Sequence, residues 1–415
     1  MIRKATRSIG KTSHFHAMVK PIGAICNLGC TYCYYLEKEH LYPEGEPFRM
    51  PWKVLQSFIR QYSAAHKHLP EIHFAWQGGE PTLLGLDFFE RAVALQRKYQ
   101  PDGCEVTNSI QTNGLLLDDA WGCFLKEQGF LVGISIDGPP DLHDRYRVDK
   151  GGRPTFDRVA RGLEILQRHK VEYNVLTCVH RHNGDHPLEV YRFLKSLGAR
   201  FIQSIPIVGR ASPTSEAATP TSVGAEQYGR FLTSVFDEWL YNDVGRVFVQ
   251  IFDVALGIWA LGQASLCVFD ETCGRALALE HNGDLFSCDH FVTPEHRLGN
   301  LMDVSLVKMV ESPQQQRFGQ AKRDALPAYC RACDVRFACN GGCPKNRFAL
   351  TPEGEPGLNY LCAGYQHFFH HIAPVMEQMT AALRAGKPAA SVVPSLKQVR
   401  RRSPQPRPEV HADRG

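Results

Sequence analysis

The 415-residue chain has no long hydrophobic run and no apolar segment at its start. No uninterrupted apolar stretch approaches the eighteen or so residues that span a bilayer. Residues 1–16 carry charges but lack the apolar core of a secretory signal. These absences argue against a membrane or secreted protein, so we expect a cytoplasmic one. In that reducing compartment its 14 cysteines are expected to be metal ligands rather than disulfides.

The main body of the chain also lacks an excess of charge. The formal net charge is +4, and the segment from Ala389 onward carries all of it, because six Lys and Arg residues there exceed two acidic residues. A near-neutral body has no basic face for nucleic acid, so no such partner is expected. Residues 386–415, rich in Pro, Arg and Ser, are predicted to be a disordered tail, and residues 1–16 a flexible N-terminus.

Between residues 17 and 240, apolar strand-like runs alternate with amphipathic helical stretches. The strand candidates are residues 17–25, 71–76, 105–111, 130–136, 171–179 and 200–205. The helix candidates are residues 52–66, 86–99, 118–128, 156–168, 187–197 and 223–240. This alternation predicts right-handed βαβ units and a parallel sheet. We therefore expect an α/β fold, a partial (β/α)6 TIM-like barrel, whose site lies at the carboxyl ends of its strands.

Beyond residue 240 the sequence changes character. Short segments with many Gly and Pro predict a second, cysteine-rich domain over residues 241–365, which has little apolar periodicity and must be held together by metal. Residues 366–385 are predicted to form a C-terminal helix that packs back on the core.

Three cysteines directly follow the first predicted strand, and no fourth lies nearby. Cys26, Cys30 and Cys33 form a C-x3-C-x2-C run. Three thiolates leave one iron of a cubane cluster open to a small molecule, whereas an electron-transfer cluster takes four cysteines. Zinc is the alternative, although a structural zinc site also wants four ligands. A plain iron–sulfur electron carrier would not explain the missing ligand.

Eight more cysteines lie between residues 267 and 362. Eight thiolates can ligate two [4Fe–4S] clusters, four to each, or two structural zinc ions, and their spacing alone does not decide. They are Cys267, Cys273, Cys288, Cys330, Cys333, Cys339, Cys343 and Cys362.

Specific segments of the chain resemble the anaerobic sulfatase-maturating enzymes of the radical S-adenosylmethionine (SAM) superfamily. These segments are CNLGCTYCYYLEKE, WQGGEPTLLG, QTNG, SIDGP followed by HDRYR, FIQSIPIV and Cys288-Asp289. The resemblance runs from about residue 18 to residue 366. It implies a radical SAM core, a C-terminal SPASM domain, three [4Fe–4S] clusters and SAM, which is chelated by the open iron.

The resemblance also implies which residues bind these groups. The first auxiliary set, nearer the substrate, would be Cys267, Cys273, Cys288 and Cys343. The second auxiliary set, nearer the surface, would be Cys330, Cys333, Cys339 and Cys362. The residues expected to contact SAM are Gln77, Gly78, Gly79, Glu80, Ser135 and Arg158. The two glycines would let the backbone approach the cofactor, and Arg158 would bind the SAM carboxylate or be an ordinary arginine on a helix surface.

On the substrate side, the resemblance makes Asp289 the catalytic base and places Tyr35 and Gln77 in the substrate pocket. An alternative role for Asp289 is to orient cluster ligands. The implied reaction begins when the 5′-deoxyadenosyl radical takes a hydrogen atom from the β-carbon of a cysteine or serine. That residue belongs to an unfolded sulfatase, and the product is Cα-formylglycine.

The alternative enzyme is a maturase of ribosomally made peptides, which forms thioether or carbon–carbon crosslinks. Such enzymes often carry an N-terminal peptide-recognition domain, and few residues precede the first predicted strand here. The remaining expectations are a flavodoxin or ferredoxin as reductant and a monomeric enzyme.

Overall fold

The structure, a computed structural model, describes residues 14–212 and 214–402, with side chains as far as residue 398. Within these residues no helix is both long and apolar enough to cross a membrane. Most of the predicted flexible N-terminus, and the tail beyond residue 402, lie outside the described residues.

The core is a mixed β-sheet with a long parallel section. The strands are β1 (His16–Lys20), β2 (Glu71–Trp76), β3 (Glu105–Thr112), β4 (Leu131–Ser135), β5 (Tyr173–Val179), β6 (Phe201–Pro206), β7 (Phe248–Val249), β8 (Ala276–Glu280), β9 (Asp284–Phe286), β10 (Arg297–Asn300), β11 (Ala349–Leu350) and β12 (Pro356–Leu358). The sheet order is β10-β9-β8-β1-β2-β3-β4-β5-β6-β7, parallel from β8 to β7, and β11 pairs with β12 separately. The six predicted strands are therefore present, in the predicted parallel order.

Helices connect the parallel strands and pack on the sheet. They are α1 (Trp52–His66), α2 (Leu86–Tyr99), α3 (Asp119–Glu127), α4 (Pro140–Asp144), α5 (Phe156–Arg168), α6 (Pro187–Ser196), α7 (Ala225–Asn242), α8 (Gln250–Leu261), α9 (Leu306–Val310), α10 (Pro313–Asp324), α11 (Ala328–Arg331), α12 (Arg336–Cys339), α13 (Cys362–Arg384) and α14 (Val393–Arg402). In α1 the apolar residues recur at helical spacing and face the core, with Phe58 and Ile59 fully buried. Helix α8 was not predicted; it ends at Gly262, which adopts the left-handed conformation that glycine favours.

The cysteine-rich region is joined to the core sheet by backbone pairing, which its short segments did not predict. Strand β8 pairs in parallel with β1 over five residues, so the region extends the core sheet. Leu277, Leu279 and Leu285 of β8 and β9 are fully buried. The short segments concealed this pairing, because β1 and β8 lie far apart in the sequence. As a result Glu280, at the carboxyl end of β8, is paired with Lys20, at the carboxyl end of β1.

The C-terminal helix packs closely on the core, as predicted. A Cβ atom added to Gly364 of α13 would lie 2.1 Å from the carbonyl oxygen of Ala225 in α7, so glycine permits the contact. The prediction of disorder from residue 386 is wrong for residues 389–402, which form a 3-10 turn and α14. Val393 and Leu396 pack against the core, which explains why this segment is ordered.

Candidate active site

The cysteine loop, residues 26–33, follows β1 and is fixed by backbone hydrogen bonds to the segment after α4. The Gly29 N–H donates to Val148 O at 2.9 Å, and the Thr31 N–H donates to Tyr146 O at 3.1 Å. Cys30 is buried, while the other two thiols of the loop are partly exposed. The loop thus lies at the carboxyl end of a central strand, where the fold predicts the site.

A second loop, residues 77–82 after β2, docks on residues 23–25, which join β1 to the cysteine loop. A Cβ atom at Gly79 would lie 1.9 Å from Ile25 O, and the Gly79 N–H donates to Gly23 O at 2.7 Å. Gly78 has a φ of +131°, which also requires glycine. These glycines allow a close approach to residues 23–25, and their approach to the cofactor stays a prediction.

Gly79→Ala should separate these two loops. The new methyl group meets rigid backbone, and overpacking of this kind costs about 1–3 kcal/mol, so we expect a lower melting temperature and poor retention of iron at the cysteine loop. Gly257→Ala is the matched control, because a Cβ there meets nothing nearer than 3.8 Å. Thermal melting and iron content measure both variants, and unchanged iron content in Gly79→Ala would contradict the docking role.

Glu80 ties this second loop to the end of β3. Its carboxylate is 1% exposed and accepts four hydrogen bonds from protein groups. The donors are the N–H and hydroxyl of Thr82, at 3.0 and 2.6 Å, the Thr112 hydroxyl at 2.8 Å and the Asn113 N–H at 2.7 Å. Glu80 therefore supports the loop, and its contact with the SAM ammonium stays a prediction.

Arg147 is the buried guanidinium beside the cysteine loop, and the sequence reasoning missed it. It is 6% exposed and donates to the Tyr32 hydroxyl at 3.0 Å, and Tyr32 donates to Asp137 at 2.5 Å. Burial raises the pKa of Cys30 to about 11, although the nearby Arg147 charge lowers it. The buried Arg147 Nε has no hydrogen-bond partner among the described residues, so it is available for an anionic group.

The other two predicted SAM contacts lie at different places. Ser135 is at the carboxyl end of β4, and its hydroxyl accepts a hydrogen bond from Gln111 at 3.0 Å. Arg158 lies on α5 with 40% of its side chain exposed, 3.8 Å from the Asp149 carboxylate. Arg158 therefore has an acidic partner of its own, and its contact with SAM stays a prediction.

Lys20 joins the three residues predicted for the substrate side. This ammonium is 1% exposed and forms an ion pair with Asp289. It donates to Gln77 Oε1 at 2.7 Å and lies 4.4 Å from the centre of the Tyr35 ring. A lysine inside the otherwise apolar predicted strand 17–25 is unusual, but the sequence does not show which groups it contacts.

The Asp289 carboxylate is held at both of its oxygens. Lys20 contacts Oδ1 and the Tyr34 hydroxyl donates to Oδ2. Burial raises the pKa of this carboxyl group, but the Lys20 charge and the hydrogen bonds outweigh burial and leave the pKa below its usual value. Asp289 is therefore an ionised carboxylate near neutral pH, as a base must be.

Tyr35 is less accessible than its predicted role in the substrate pocket suggests. It is 4% exposed, and its hydroxyl donates to the Glu280 carboxylate. Burial, followed by the Glu280 charge, raises the pKa of Tyr35 well above its usual value. Its ring, rather than its hydroxyl, faces Lys20. Contact between Tyr35 and substrate stays a prediction.

The four cysteines of the second auxiliary set line one pocket. Cys330, Cys333, Cys339 and Cys362 surround it together with parts of α11, α12 and the start of α13. Burial, followed by the charges of the other three thiols of the set, raises the pKa of Cys362 to about 12.

The first auxiliary set gathers around Cys343. Burial raises the pKa of Cys267, Cys273 and Cys288, and in each case the neighbouring Cys343 thiol raises it further. Cys343 thus lies with these distant cysteines, although in the sequence it follows Cys339 closely. The division of the eight cysteines into two ligand sets stays a prediction, which this grouping supports.

These thiols fit iron–sulfur clusters better than single metal ions. Among residues 14–212 and 214–402, no three His, Cys, Asp or Glu side chains have the spacing to hold one metal ion. A cubane spreads its thiolates over several irons, so its ligands stand further apart than those of one zinc ion. The buried Lys322 ammonium, bonded to Val268 O at 3.1 Å, adds a positive charge beside the first set, which suits an anionic cluster.

Comparisons with known proteins agree with this arrangement. The radical SAM superfamily model matches residues 21–194, and SPASM, an iron–sulfur cluster-binding domain, matches residues 267–334. The serine-type anaerobic sulfatase-maturating enzyme of Bacteroides thetaiotaomicron is 44% identical over 95% of this chain and 98% of its own length. The cysteine-type enzyme of Clostridium perfringens is 34% identical over 86% and 96%.

A solved structure extends the similarity to three dimensions. Native anSMEcpe with bound AdoMet and Cp18Cys peptide matches with a TM-score of 0.79 and 32% identity, covering 89% of this chain and 99% of that one. The fold and the matched regions define a radical SAM enzyme with an iron–sulfur SPASM domain, which confirms the predicted fold class and kinds of cofactor. Since the similarity spans nearly the whole chain, the protein belongs to the family of anaerobic sulfatase-maturating enzymes.

Proposed function

We propose that this enzyme oxidises a serine or cysteine in an unfolded sulfatase segment to Cα-formylglycine. The observation that carries the proposal is the position of Asp289, an ionised carboxylate that adjoins Cys288 and contacts Lys20 at the end of β1. Serine-type and cysteine-type relatives, and the peptide in the anSMEcpe structure, support the reaction and a peptide substrate.

The residues fit the cofactors of this reaction. Cys26, Cys30 and Cys33 would hold the core cluster, and the two auxiliary sets would hold one cluster each. When bound, these groups and SAM supply the 5′-deoxyadenosyl radical that removes a hydrogen atom from the substrate β-carbon, and they accept the electron released later.

The chain itself supplies the proton acceptor. After the hydrogen atom is removed, the substrate must still lose one proton and one electron to form a carbonyl or thiocarbonyl group. Asp289 takes the hydroxyl or thiol proton if that group comes within hydrogen-bond reach of the carboxylate. A serine then gives the aldehyde directly, whereas a cysteine gives a thioaldehyde that hydrolyses to it.

Arg147, rather than Arg158, would bind the SAM carboxylate. Its guanidinium is buried at the cysteine loop, and its Nε has no hydrogen-bond partner in the part of the chain that the structure describes. Guanidinium groups bind carboxylates through paired, charge-assisted hydrogen bonds.

Arg147→Gln should weaken SAM binding about 10-fold or more, because a hydrogen bond to a charged group contributes about 1.5–3 kcal/mol. Arg158→Gln is the control, and we expect little change from it because that side chain is partly exposed and paired with Asp149. Anaerobic equilibrium dialysis with the iron-loaded protein measures the SAM affinity of both variants. A larger loss of affinity in Arg158→Gln than in Arg147→Gln would indicate Arg158 as the residue that binds the SAM carboxylate.

We further propose a cytoplasmic monomer that receives electrons from a reduced flavodoxin or ferredoxin. A reducing compartment keeps the cysteines available as iron ligands, and the first step of the reaction consumes an electron.

The test is anaerobic incubation of the iron-loaded protein with SAM, dithionite and a short sulfatase-segment peptide carrying either serine or cysteine. The expected serine product has lost two hydrogen atoms and reacts with a hydrazine as an aldehyde. Mass spectrometry of the two peptides also reports the preference between them. A crosslinked peptide without an aldehyde would replace this function with that of a peptide maturase.

A further inference from the structure

Lys20 is in an unusual place for a lysine. It ends β1 in the sheet interior, and only 1% of it is exposed. Burying an ammonium costs several kcal/mol unless its charge is paired and its donors are bonded. Here Asp289 supplies the charge and Gln77 accepts a hydrogen bond at 2.7 Å. These contacts connect the ends of β1 and β2 with the turn that follows β9.

The two partners of Asp289 differ in how freely they can leave it. Lys20, on Oδ1, is buried and bonded on a second side to Gln77, so it is fixed in place. Tyr34, on Oδ2, is 39% exposed and follows the cysteine loop. Its ring stacks on His290 with the ring centres 5.2 Å apart. Oδ2 is therefore the oxygen whose partner belongs to a partly exposed side chain, and an incoming group can reach it by taking the place of the Tyr34 hydroxyl.

We propose that Lys20 is the positioning residue of the reaction: it fixes Oδ1 of Asp289 so that Oδ2 meets the substrate hydroxyl or thiol in place of Tyr34. The inference rests on the proposed function, in which Asp289 is the base. A base must be within hydrogen-bond reach of its proton, and a small misplacement costs about 100-fold in rate.

The role of Lys20 should depend on the substrate. A serine hydroxyl gives up its proton far less readily than a cysteine thiol, whose ordinary pKa is about 8.5. Correct placement of the carboxylate therefore matters more for serine. A residue that only stabilised the fold would affect both substrates equally.

The experiment compares Lys20→Met with the wild type, both loaded with iron, on serine and cysteine forms of one peptide. Formylglycine and 5′-deoxyadenosine are measured in the same reaction. We expect 5′-deoxyadenosine release to continue and kcat for formylglycine to fall about 10-fold or more with serine and less with cysteine. KM should change little. Lys38→Met is the matched control, because that ammonium bonds Val292 O at 2.9 Å instead of Asp289. We expect this variant to show normal coupling, meaning the wild-type ratio of formylglycine to 5′-deoxyadenosine.

Equal losses for both peptides, together with lost SAM cleavage, would overturn the proposal, and so would normal coupling in Lys20→Met. If that variant does not load iron, Lys20→Ala with added ethylammonium decides: restored coupling supports the role and no restoration overturns it. Failure of the wild type to make formylglycine would instead refute the proposed function.

Discussion

Asp289→Asn should reduce formylglycine formation by about 100-fold or more while 5′-deoxyadenosine is still released. An amide cannot take the substrate proton, and general-base groups typically contribute about 100- to 10,000-fold to a rate. The substitution keeps the size of the side chain and its contact with Tyr34, so the effect separates proton transfer from architecture. Quantifying both products in the same anaerobic reaction measures it.

Two observations complete this test. Asp303→Asn removes an exposed carboxylate from the turn after β10 and should leave both products unchanged. Iron content of Asp289→Asn should match the wild type, because its neighbour Cys288 is untouched. Near-normal formylglycine formation would remove Asp289 as the base, whereas lost iron would assign it to orienting the cluster ligands.

Local sequence patterns were enough to predict the barrel core. The apolar residues of α1 recur with a helical period, so its bounds followed from the sequence alone. The same approach failed at β8, whose five residues are stable only because β1 lies beside them. It failed again at residues 389–402, where composition suggested disorder but Val393 and Leu396 find a place on the core. Long-range packing carries the information that the local patterns lack.

The site shows the same limit for single residues. The cysteine loop could be recognised because its chemistry depends on spacing within a few residues. Lys20 and Arg147 could not, because their importance comes from burial beside groups that are distant in the sequence. Glu80 was placed correctly in its loop, but its partners belong to the protein, as its four hydrogen bonds show.

The division of the late cysteines makes a second prediction with a large effect. In the sequence, Cys343 follows Cys330, Cys333 and Cys339 and would be grouped with them. In the structure, Cys343 lies with the first auxiliary set, while Cys362, at the start of α13, completes the second. The two arrangements differ in which pairs of cysteines share a cluster, so double substitutions distinguish them.

The reconstituted wild type should contain about twelve irons, four for each cubane. Cys267→Ala and Cys343→Ala should each leave about eight, and so should the two together, because both remove ligands of the same cluster. Cys330→Ala combined with Cys343→Ala should leave about four, because it removes one ligand from each auxiliary set. Each variant should also lose formylglycine formation, since the electron needs an acceptor near the substrate. The opposite pattern, four irons in the first pair and eight in the second, would return Cys343 to the set of its sequence neighbours.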